Sequence, residues 1–268
     1  MPDAFPQPDW RTKPSDRFIL KWIKRRLSAP ITPLLVHLGW LRPWMITLFA
    51  ASLGILAGFL FALGMGFAAG LTAALSQILD GVDGQFARLT GSSSRAGAFL
   101  DSVIDRYADG AMVIGVVVYL VRLPVLEPLW ALLVIGALAV IGSSQISYTS
   151  ARAENLGIDL GSPTLVSKGT RISLIAISGL GTPLWQGLPA AALLYLAGHT
   201  NTVVVRRLLR SARQSKRQEQ GKSEQARAGK ARDDLPSLGD RAPEKMKRGS
   251  GQILFSFTRR AKYSNERS

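Results

Sequence analysis

Five acidic residues are concentrated in one short stretch between two apolar segments. Asp80 and Asp83 are three residues apart, and Asp101, Asp105 and Asp109 follow one another at intervals of four. Each set therefore lies on one face of a helix. An acid at membrane depth costs about 2.5 to 3.5 kcal/mol, and neighbouring carboxylates also repel each other. The pattern predicts that this stretch binds cations.

The other residues of the chain narrow down the kind of cation. There is no cysteine, and the two histidines, His37 and His199, are far from the acids in the sequence. An all-oxygen site suits Mg²⁺, Mn²⁺ or Ca²⁺ rather than zinc. Two such ions would neutralise four carboxylates, and paired ions can clamp both oxygens in phosphoryl transfer. Because the nearby Arg88 can donate two hydrogen bonds to a phosphate, we expect a phosphorylated ligand.

The acids must be positioned by helices that cross a membrane. Hydrophobic residues make up 47% of the 268 positions although the net charge is +15, and they collect in long runs. About 20 apolar residues span a bilayer as a helix, and glycines such as Gly54, Gly58, Gly64 and Gly66 allow close helix packing in lipid. The sequence predicts an all-α, polytopic membrane protein with a bundle of six transmembrane helices. The predicted spans are Trp44 to Leu63, Phe67 to Ala87, Ala98 to Leu120, Leu129 to Ser150, Arg171 to Trp185 (a short one) and Leu188 to Val205.

The segments outside the bundle are polar or amphipathic. Between Asp16 and Trp40, apolar residues such as Trp22 alternate with basic ones such as Lys24, which is typical of an interfacial helix; a helix packed on protein is the alternative. After residue 210 too few apolar residues remain to form a core. We predict four regions: an N-terminal extension (1–15), an amphipathic juxtamembrane helix (16–43), the six-helix catalytic domain (44–210) and a basic, disordered cytosolic tail (211–268).

The distribution of Lys and Arg among the loops predicts the orientation. Basic residues accumulate at alternate ends of the spans, whereas the opposite loops contain only Arg122 beside Glu127. Lys and Arg are retained on the cytoplasmic side. We therefore expect both termini and the acids to be cytosolic, in a prokaryotic cytoplasmic membrane.

The acids also form part of a longer motif. Fixed residues occur in the order Asp80, two residues, Asp83-Gly84, two residues, Ala87-Arg88, eight residues, Gly97, three residues, Asp101, three residues, Asp105. This order resembles the motif of the CDP-alcohol phosphotransferase family, without a departure, and the resemblance extends over about Asp16 to Arg210.

The resemblance implies roles for the matching residues. It implies that Asp80, Asp83 and Asp101 bind metal, and that Asp105 completes the site and acts as the base, with two Mg²⁺ or Mn²⁺ ions. It also implies that the CDP group is bound by Gly84 and Arg88, in a pocket shaped by Gly81, Ala87 and Gly97. Asp109 lies outside the motif, and we interpret it as a buried acid that pairs two helices.

A second cluster follows at the inside end of the fourth span. Arg152, Lys168 and Arg171 could form an anion pocket for the acceptor, although basic residues at a cytoplasmic helix end are also ordinary topology signals. The stretch SYTSARAENLG, which begins at Ser147, resembles the corresponding segment of relatives that act on phosphorylated polyols. Some relatives that use phosphoinositol have a basic residue where this chain has Ser150.

Together these features predict a phospholipid-synthesising transferase. It would move a substituted phosphate from a CDP-alcohol, expected to be CDP-diacylglycerol, to a polyol or polyol phosphate such as inositol phosphate or glycerol phosphate, releasing CMP. A soluble donor such as CDP-inositol is the first alternative, and a non-enzymatic cation transporter is the second. A prenyltransferase is disfavoured because Ala87 stands where a third acid would be needed. We expect no nucleic-acid partner, since no binding module accompanies the basic residues, and a homodimer is compatible with the sequence.

Overall fold

The computed structural model describes residues 10–12, 18–123, 128–160 and 168–233. Within these residues all regular structure is helical, and a π-helical turn, Lys24–Ser28, joins the first two α-helices. The helices are α1 (Phe18–Ile23), α2 (Ala29–Val36), α3 (Pro43–Ala62), α4 (Gly66–Leu89), α5 (Arg95–Val121), α6 (Leu129–Leu156), α7 (Lys168–Leu180) and α8 (Leu188–Asp233). The predicted all-α class is confirmed.

Local sequence signals determine where several helices begin and end. Pro43 begins α3, where its missing N–H would have no intrahelical partner. The hydroxyl of Ser94 accepts a hydrogen bond from the Gly97 N–H at 3.0 Å and caps the start of α5. Gly157 ends α6 in the left-handed conformation, with φ of 64°. A short turn, residues 90–94, joins α4 and α5, the two helices that carry the acids. These two helices run in opposite directions.

The helices pack closely around one core. α3 contacts both α4 and α5, and α4 also contacts α7. A methyl group in place of the hydrogen at Gly58 would overlap the backbone of Ala111, and one at Gly115 would overlap Gly58. Small residues thus let α3 and α5 approach backbone to backbone, as expected in lipid. Gly64 differs from this prediction, because its φ of 87° places it in the turn after α3.

Three of the described helices are long and apolar enough to cross a membrane, namely Pro43–Ala62, Leu129–Leu156 and Leu188–Lys216. α4 and α5 contain 24 and 27 residues, which is enough to span at about 1.5 Å per residue. Their ends carry the functional acids and arginines, which lower their hydropathy. α7 has only 13 residues. The count of six spans stays a prediction.

The N-terminal helices have features of both structures predicted for the juxtamembrane segment, an interfacial helix and a helix packed on protein. Ile23 and Lys24 are buried, and this region contacts α4 and α7. Ile19 and Trp22 remain exposed on the same helix. One side of the segment thus packs on the bundle, while an apolar side is left for lipid. Burial of Lys24 differs from the prediction that it contacts headgroups.

The region after residue 210 differs from the predicted disorder as far as the structure describes it. α8 continues as a helix to Asp233, through a stretch rich in Ala, Gln, Glu, Lys and Arg. These are strong helix formers, so the lack of apolar residues prevents a core without preventing a helix. The chain divides into two compact units, and the boundary falls between Arg217 and Gln218. The predicted tail beyond residue 233 and the extension 1–9 lie outside the described residues.

Candidate active site

Three of the predicted acids meet where α4 ends and α5 begins. One carboxylate oxygen from each of Asp80, Asp101 and Asp105 can be chosen so that all three lie within 4.8 Å of one another. Asp80 comes from α4, and the other two come from consecutive turns of α5. The antiparallel arrangement of the two helices therefore brings together acids that are 21 and 25 residues apart in the sequence.

This cluster offers three oxygen ligands that could hold a divalent cation. Two unit charges at that separation repel by roughly 3 kcal/mol at an effective dielectric constant of 20, and a cation bound between the carboxylates would offset this repulsion. Ligand oxygens at about 2.1 Å from one Mg²⁺ lie roughly 3 to 4 Å apart in an octahedron, which small side-chain rotations would achieve here. Asp105 also has a cationic neighbour, because Arg106 Nη2 lies 4.0 Å from its Oδ2.

Asp83 lies outside this three-carboxylate cluster. It is buried, its Oδ2 accepts a 2.7 Å hydrogen bond from the hydroxyl of Thr47 on α3, and its Oδ1 accepts one from the Gly84 N–H. These bonds direct the Asp83 carboxylate toward α3. The metal role that the family motif implies for Asp83 stays a prediction.

The motif glycines have different surroundings. A methyl group at Gly81 would overlap Ser28 and lie 3.2 Å from Lys24 Cγ, so Gly81 lets the N-terminal helices approach α4. A methyl group at Gly84 would meet only the Arg88 guanidinium within 4 Å, with Nη1 at 3.4 Å. Gly84 therefore has room beside it for a ligand, whereas Gly81 is filled by protein.

The remaining predicted nucleotide-binding residues lie around the same end of the bundle. Ala87 and Arg88 are half-buried on the last turn of α4, and Arg88 Nε donates a 2.9 Å hydrogen bond to the Trp10 carbonyl. Gly97 lies in the first turn of α5, where its N–H is used by the Ser94 cap. Their contacts with CDP stay predictions.

The structure describes the side chains of two of the three predicted acceptor residues, Arg152 and Arg171. Arg152 is exposed near the end of α6, and the side chain of Lys168 lies outside the described residues. Arg171 is buried, and its Nη2 lies 2.9 Å from Oδ2 of Asp109. Asp109 thus pairs α5 with α7, as the sequence suggested, and much of the charge of Arg171 is neutralised within the protein.

Two further arginines donate hydrogen bonds to α6, Arg106 from α5 and Arg207 from α8. Arg106 donates to the hydroxyl of Ser147 on α6. One turn further along α6, Ser150 accepts a 2.9 Å hydrogen bond from Arg207 Nη1 on α8, which also donates to Thr149 at 2.7 Å. The guanidinium of Arg207 therefore lies beside the position where some relatives have a basic residue.

A groove lies along the same part of α8. It is lined by Arg206, Leu209, Arg210, Arg213 and Gln214. Arg210 Nη2 lies 3.7 Å from the exposed carboxylate of Asp159, and Gln214 Nε2 donates to the Asp159 carbonyl at 2.9 Å. The sequence analysis did not name these arginines as ligand-binding residues, although the spacing of Arg206, Arg210 and Arg213 by four and three residues places them on one face of a helix.

The fold is a helical bundle with a cluster of three carboxylates on one helix pair, which is the arrangement expected for an integral membrane transferase of the predicted family. The chain belongs to the CDP-alcohol phosphatidyltransferase family, because the model of that family matches residues 40–204, more than half of the chain. It is therefore a CDP-alcohol phosphatidyltransferase of phospholipid synthesis, with a CDP-alcohol donor and an alcohol acceptor. The predicted family and enzyme class are confirmed, and the chain is an integral membrane protein.

Several curated relatives are similar to this chain. The archaetidylinositol phosphate synthase of Pyrococcus horikoshii is 32% identical over 66% of this chain and 90% of its own length. The phosphatidylinositol phosphate synthase of Streptomyces avermitilis is 32% identical over 71% of this chain and 80% of its own. The bifunctional IPC transferase and DIPP synthase of Thermococcus kodakarensis is 33% identical over 51% of this chain, but the match spans only 30% of that longer protein.

Solved structures show the same fold. The phosphatidylinositol phosphate synthase PgsA1 of Mycobacterium tuberculosis with CDP-DAG bound superposes with a TM-score of 0.60 and 25% identity, over 69% of this chain and 94% of that chain. The same enzyme in complex with manganese and citrate also gives a TM-score of 0.60, over 69% of this chain and 88% of that one.

Proposed function

We propose that this chain transfers a phosphatidyl group from CDP-diacylglycerol to a hydroxyl of an inositol phosphate and releases CMP. The observation that carries the proposal is the cluster of Asp80, Asp101 and Asp105, set in the motif of the family. Relatives named as phosphatidylinositol phosphate synthases, one of them solved with CDP-DAG bound, support this donor and acceptor.

The reaction is a displacement at phosphorus. The acceptor oxygen attacks the β-phosphorus of the donor, the bond from that phosphorus to the bridging oxygen breaks, and CMP leaves with that oxygen. Asp105 is the base that takes the proton of the acceptor hydroxyl, since a carboxylate within hydrogen-bond reach of the nucleophile can do so. Arg88 and the open face of Gly84 would hold the diphosphate.

Asp80, Asp101 and Asp105 would hold the divalent cation, and Asp83 would complete the set that the motif implies. We propose two ions, Mg²⁺ or Mn²⁺. When bound, they supply positive charge that offsets the diphosphate and the phosphorane-like charge of the transition state. The carboxylates fix where that charge lies, and Thr47 keeps Asp83 in one orientation.

A phosphorylated acceptor is favoured by the arginines of α8. Arg206, Arg210 and Arg213 place three guanidinium groups on one groove, where Asp159 lies beside Arg210 as an acidic neighbour. Such a surface suits a ligand with a phosphate and is excessive for a neutral polyol. Arg207 adds a further cation beside Ser150. We therefore propose that these arginines bind the phosphate of the acceptor. Of the residues that the sequence suggested for this role, Arg152 and Lys168 remain candidates, whereas Arg171 is paired with Asp109.

The experiment that tests the proposal is product analysis. Purified protein is incubated with labelled CDP-diacylglycerol and Mn²⁺ or Mg²⁺, with inositol phosphate, glycerol phosphate, inositol or serine, and the lipid product is identified by mass. We expect phosphatidylinositol phosphate and CMP in equal amounts, loss of both with EDTA, and recovery with added Mn²⁺ or Mg²⁺. Asp80→Asn is the matched inactive control.

The alternatives give different products. A water-soluble product from CDP-inositol, with none from CDP-diacylglycerol, would establish the soluble-donor alternative. A product only with serine or unphosphorylated inositol would overturn the acceptor assignment. Full activity after thorough chelation would contradict the metal site, and CMP release with none of these acceptors would mean that the enzyme uses a different alcohol.

We also propose that the site faces the cytosol of a prokaryotic cell, and labelling can test this orientation. The chain has no cysteine, so a single introduced cysteine gives an unambiguous signal. Exposed Ser93 and Ser215 should be labelled only from the cytosolic side, and exposed Gln186, in the turn before α8, only from the other side. Labelling of Ser93 and Gln186 from the same face would contradict the arrangement of the spans.

A further inference from the structure

A short segment before α1 is bonded to the catalytic motif, and the proposed reaction gives it no role. The segment consists of residues Trp10 to Thr12, which precede the first helix, α1. The backbone carbonyl of Trp10 accepts a 2.9 Å hydrogen bond from Arg88 Nε, and that of Arg11 accepts a 2.8 Å bond from Gln85 Nε2. Two side chains on consecutive turns of α4 thus hold two consecutive carbonyls, more than 70 residues away in the sequence.

Gln85 is the main attachment point. Its side chain is fully buried, and every part of its amide is used. Besides the bond to Arg11, its Nε2 donates to the Lys24 carbonyl at 2.9 Å, and its Oε1 accepts from the Thr32 hydroxyl at 2.6 Å. A buried amide with satisfied donors and acceptor fixes its partners in one arrangement. Gln85 therefore fastens the segment, the π-helical turn and α2 to α4.

The contact with Arg88 determines how its guanidinium is presented. An arginine side chain loses roughly 2 kcal/mol of rotamer freedom when it is immobilised, and a bond through Nε sets the plane of the guanidinium. In this plane Nη1 lies over Gly84, 3.4 Å from where a Cβ would be. Gly84 and Arg88 are the two residues expected to contact the diphosphate of CDP. The segment thus orients the guanidinium of Arg88 beside Gly84 before any ligand binds.

We infer that the segment Trp10–Thr12 is a positioning element of the nucleotide pocket, which preorganises Arg88 for the CDP diphosphate and is fastened by Gln85. The inference rests on the proposed function only in placing CDP beside Gly84 and Arg88. The Arg11 guanidinium lies 5.3 Å from the centre of the Trp10 ring, a cation–π contact that stiffens the segment further. Preorganisation of this kind acts on ligand affinity, because less ordering remains to be done on binding.

The test measures the affinity of CDP itself by calorimetry with Mn²⁺ present, in the full chain and in a chain that lacks residues 1–12. We expect the Kd of CDP to rise about tenfold, the usual scale for losing a hydrogen bond to a charged group. The KM of the CDP-alcohol donor should rise in parallel, while kcat and the KM of the acceptor change little. A chain that lacks only residues 1–8 keeps the segment and should bind CDP like the full chain.

A second arm asks whether the segment acts through Arg88. Lysine has no Nε–H donor with that geometry, so in an Arg88→Lys background the same deletion should weaken CDP binding by less than about twofold. If the deleted chain does not fold, a full chain with Trp10→Gly and Arg11→Gly loosens the segment, and the Kd should still rise about threefold.

The outcomes separate this inference from the proposed function. If deletion leaves the Kd of CDP unchanged or lowers it, the inference is overturned even if the full chain makes the proposed lipid. A lower Kd is the result expected if the segment covers the pocket. An equal loss in the Arg88→Lys background would also overturn the inference, because the segment would then act elsewhere. If deletion raises the Kd of CDP in the chain with Arg88 but not in the Arg88→Lys variant, the inference is supported even if none of the proposed acceptors reacts.

Discussion

Replacing Asp105 with asparagine is expected to lower turnover by about 10² or more, the usual scale for losing a general base. Asparagine keeps the size of the side chain and one oxygen ligand, but it cannot take the proton of the acceptor hydroxyl. Asp105 is 13% exposed, and Arg106 Nη2 lies 4.0 Å from its Oδ2. The amide would therefore fit the same space beside Arg106. Donor binding should fall much less, because Asp80, Asp101 and Arg88 remain.

The comparison with Asp80→Asn shows whether the loss is one of chemistry. Asp80→Asn should weaken metal and donor binding together, so its KM for the donor should rise along with its loss of turnover. Glu154→Gln, the same chemical change at an exposed position on α6, is the control and should leave turnover near the wild-type value. Near-normal turnover of Asp105→Asn, or a loss of donor binding as complete as that of Asp80→Asn, would exclude Asp105 as the base.

The sequence predicted well that three of the acids meet, because their arrangement is local. Asp80, Asp101 and Asp105 are fixed by helix periodicity and one short turn, so residue spacing alone places them together. Asp83 lies three residues after Asp80 and so on the same face of α4. Its carboxylate nevertheless accepts a hydrogen bond from Thr47, a residue 36 positions away. Nothing in the spacing of the acids specifies which helix packs against that side of α4. A hydrogen-bond partner from a distant helix therefore could not be predicted.

The glycines and arginines also show which features of the site the sequence could predict and which it could not. The family resemblance implied a place in the nucleotide pocket for both Gly81 and Gly84. The structure gives a different answer for each, because Ser28 and Lys24 fill the space at Gly81 only. The arginines of α8 were visible as a charge run, but a charge run by itself is typical of positive-inside topology. Their contacts with Asp159 and Ser150 depend on how α6 and α8 pack.

The second large effect is expected at the buried pair of Asp109 and Arg171. Both side chains are at least 90% buried, and Nη2 and Oδ2 are 2.9 Å apart. Removing one member of such a pair leaves an uncompensated charge and costs about 3 to 5 kcal/mol. Arg171→Met should therefore lower the free energy of unfolding by that amount, measured by denaturation in detergent. The exposed pair of Arg210 and Asp159 is the matched control, and Arg210→Met should cost less than about 1 kcal/mol.

The double variant Asp109→Asn with Arg171→Met distinguishes a structural role of Arg171 from acceptor binding. It removes both charges, so most of the lost stability should return. Arg171 Nη2 is committed to Asp109 at 2.9 Å, and we therefore expect the KM of the acceptor in the refolded double variant to stay near the wild-type value. Recovered stability with a strongly raised acceptor KM would instead establish Arg171 as an acceptor-binding residue. If stability does not recover, the bond between Asp109 and Arg171 cannot be the main reason why both are buried between α5 and α7.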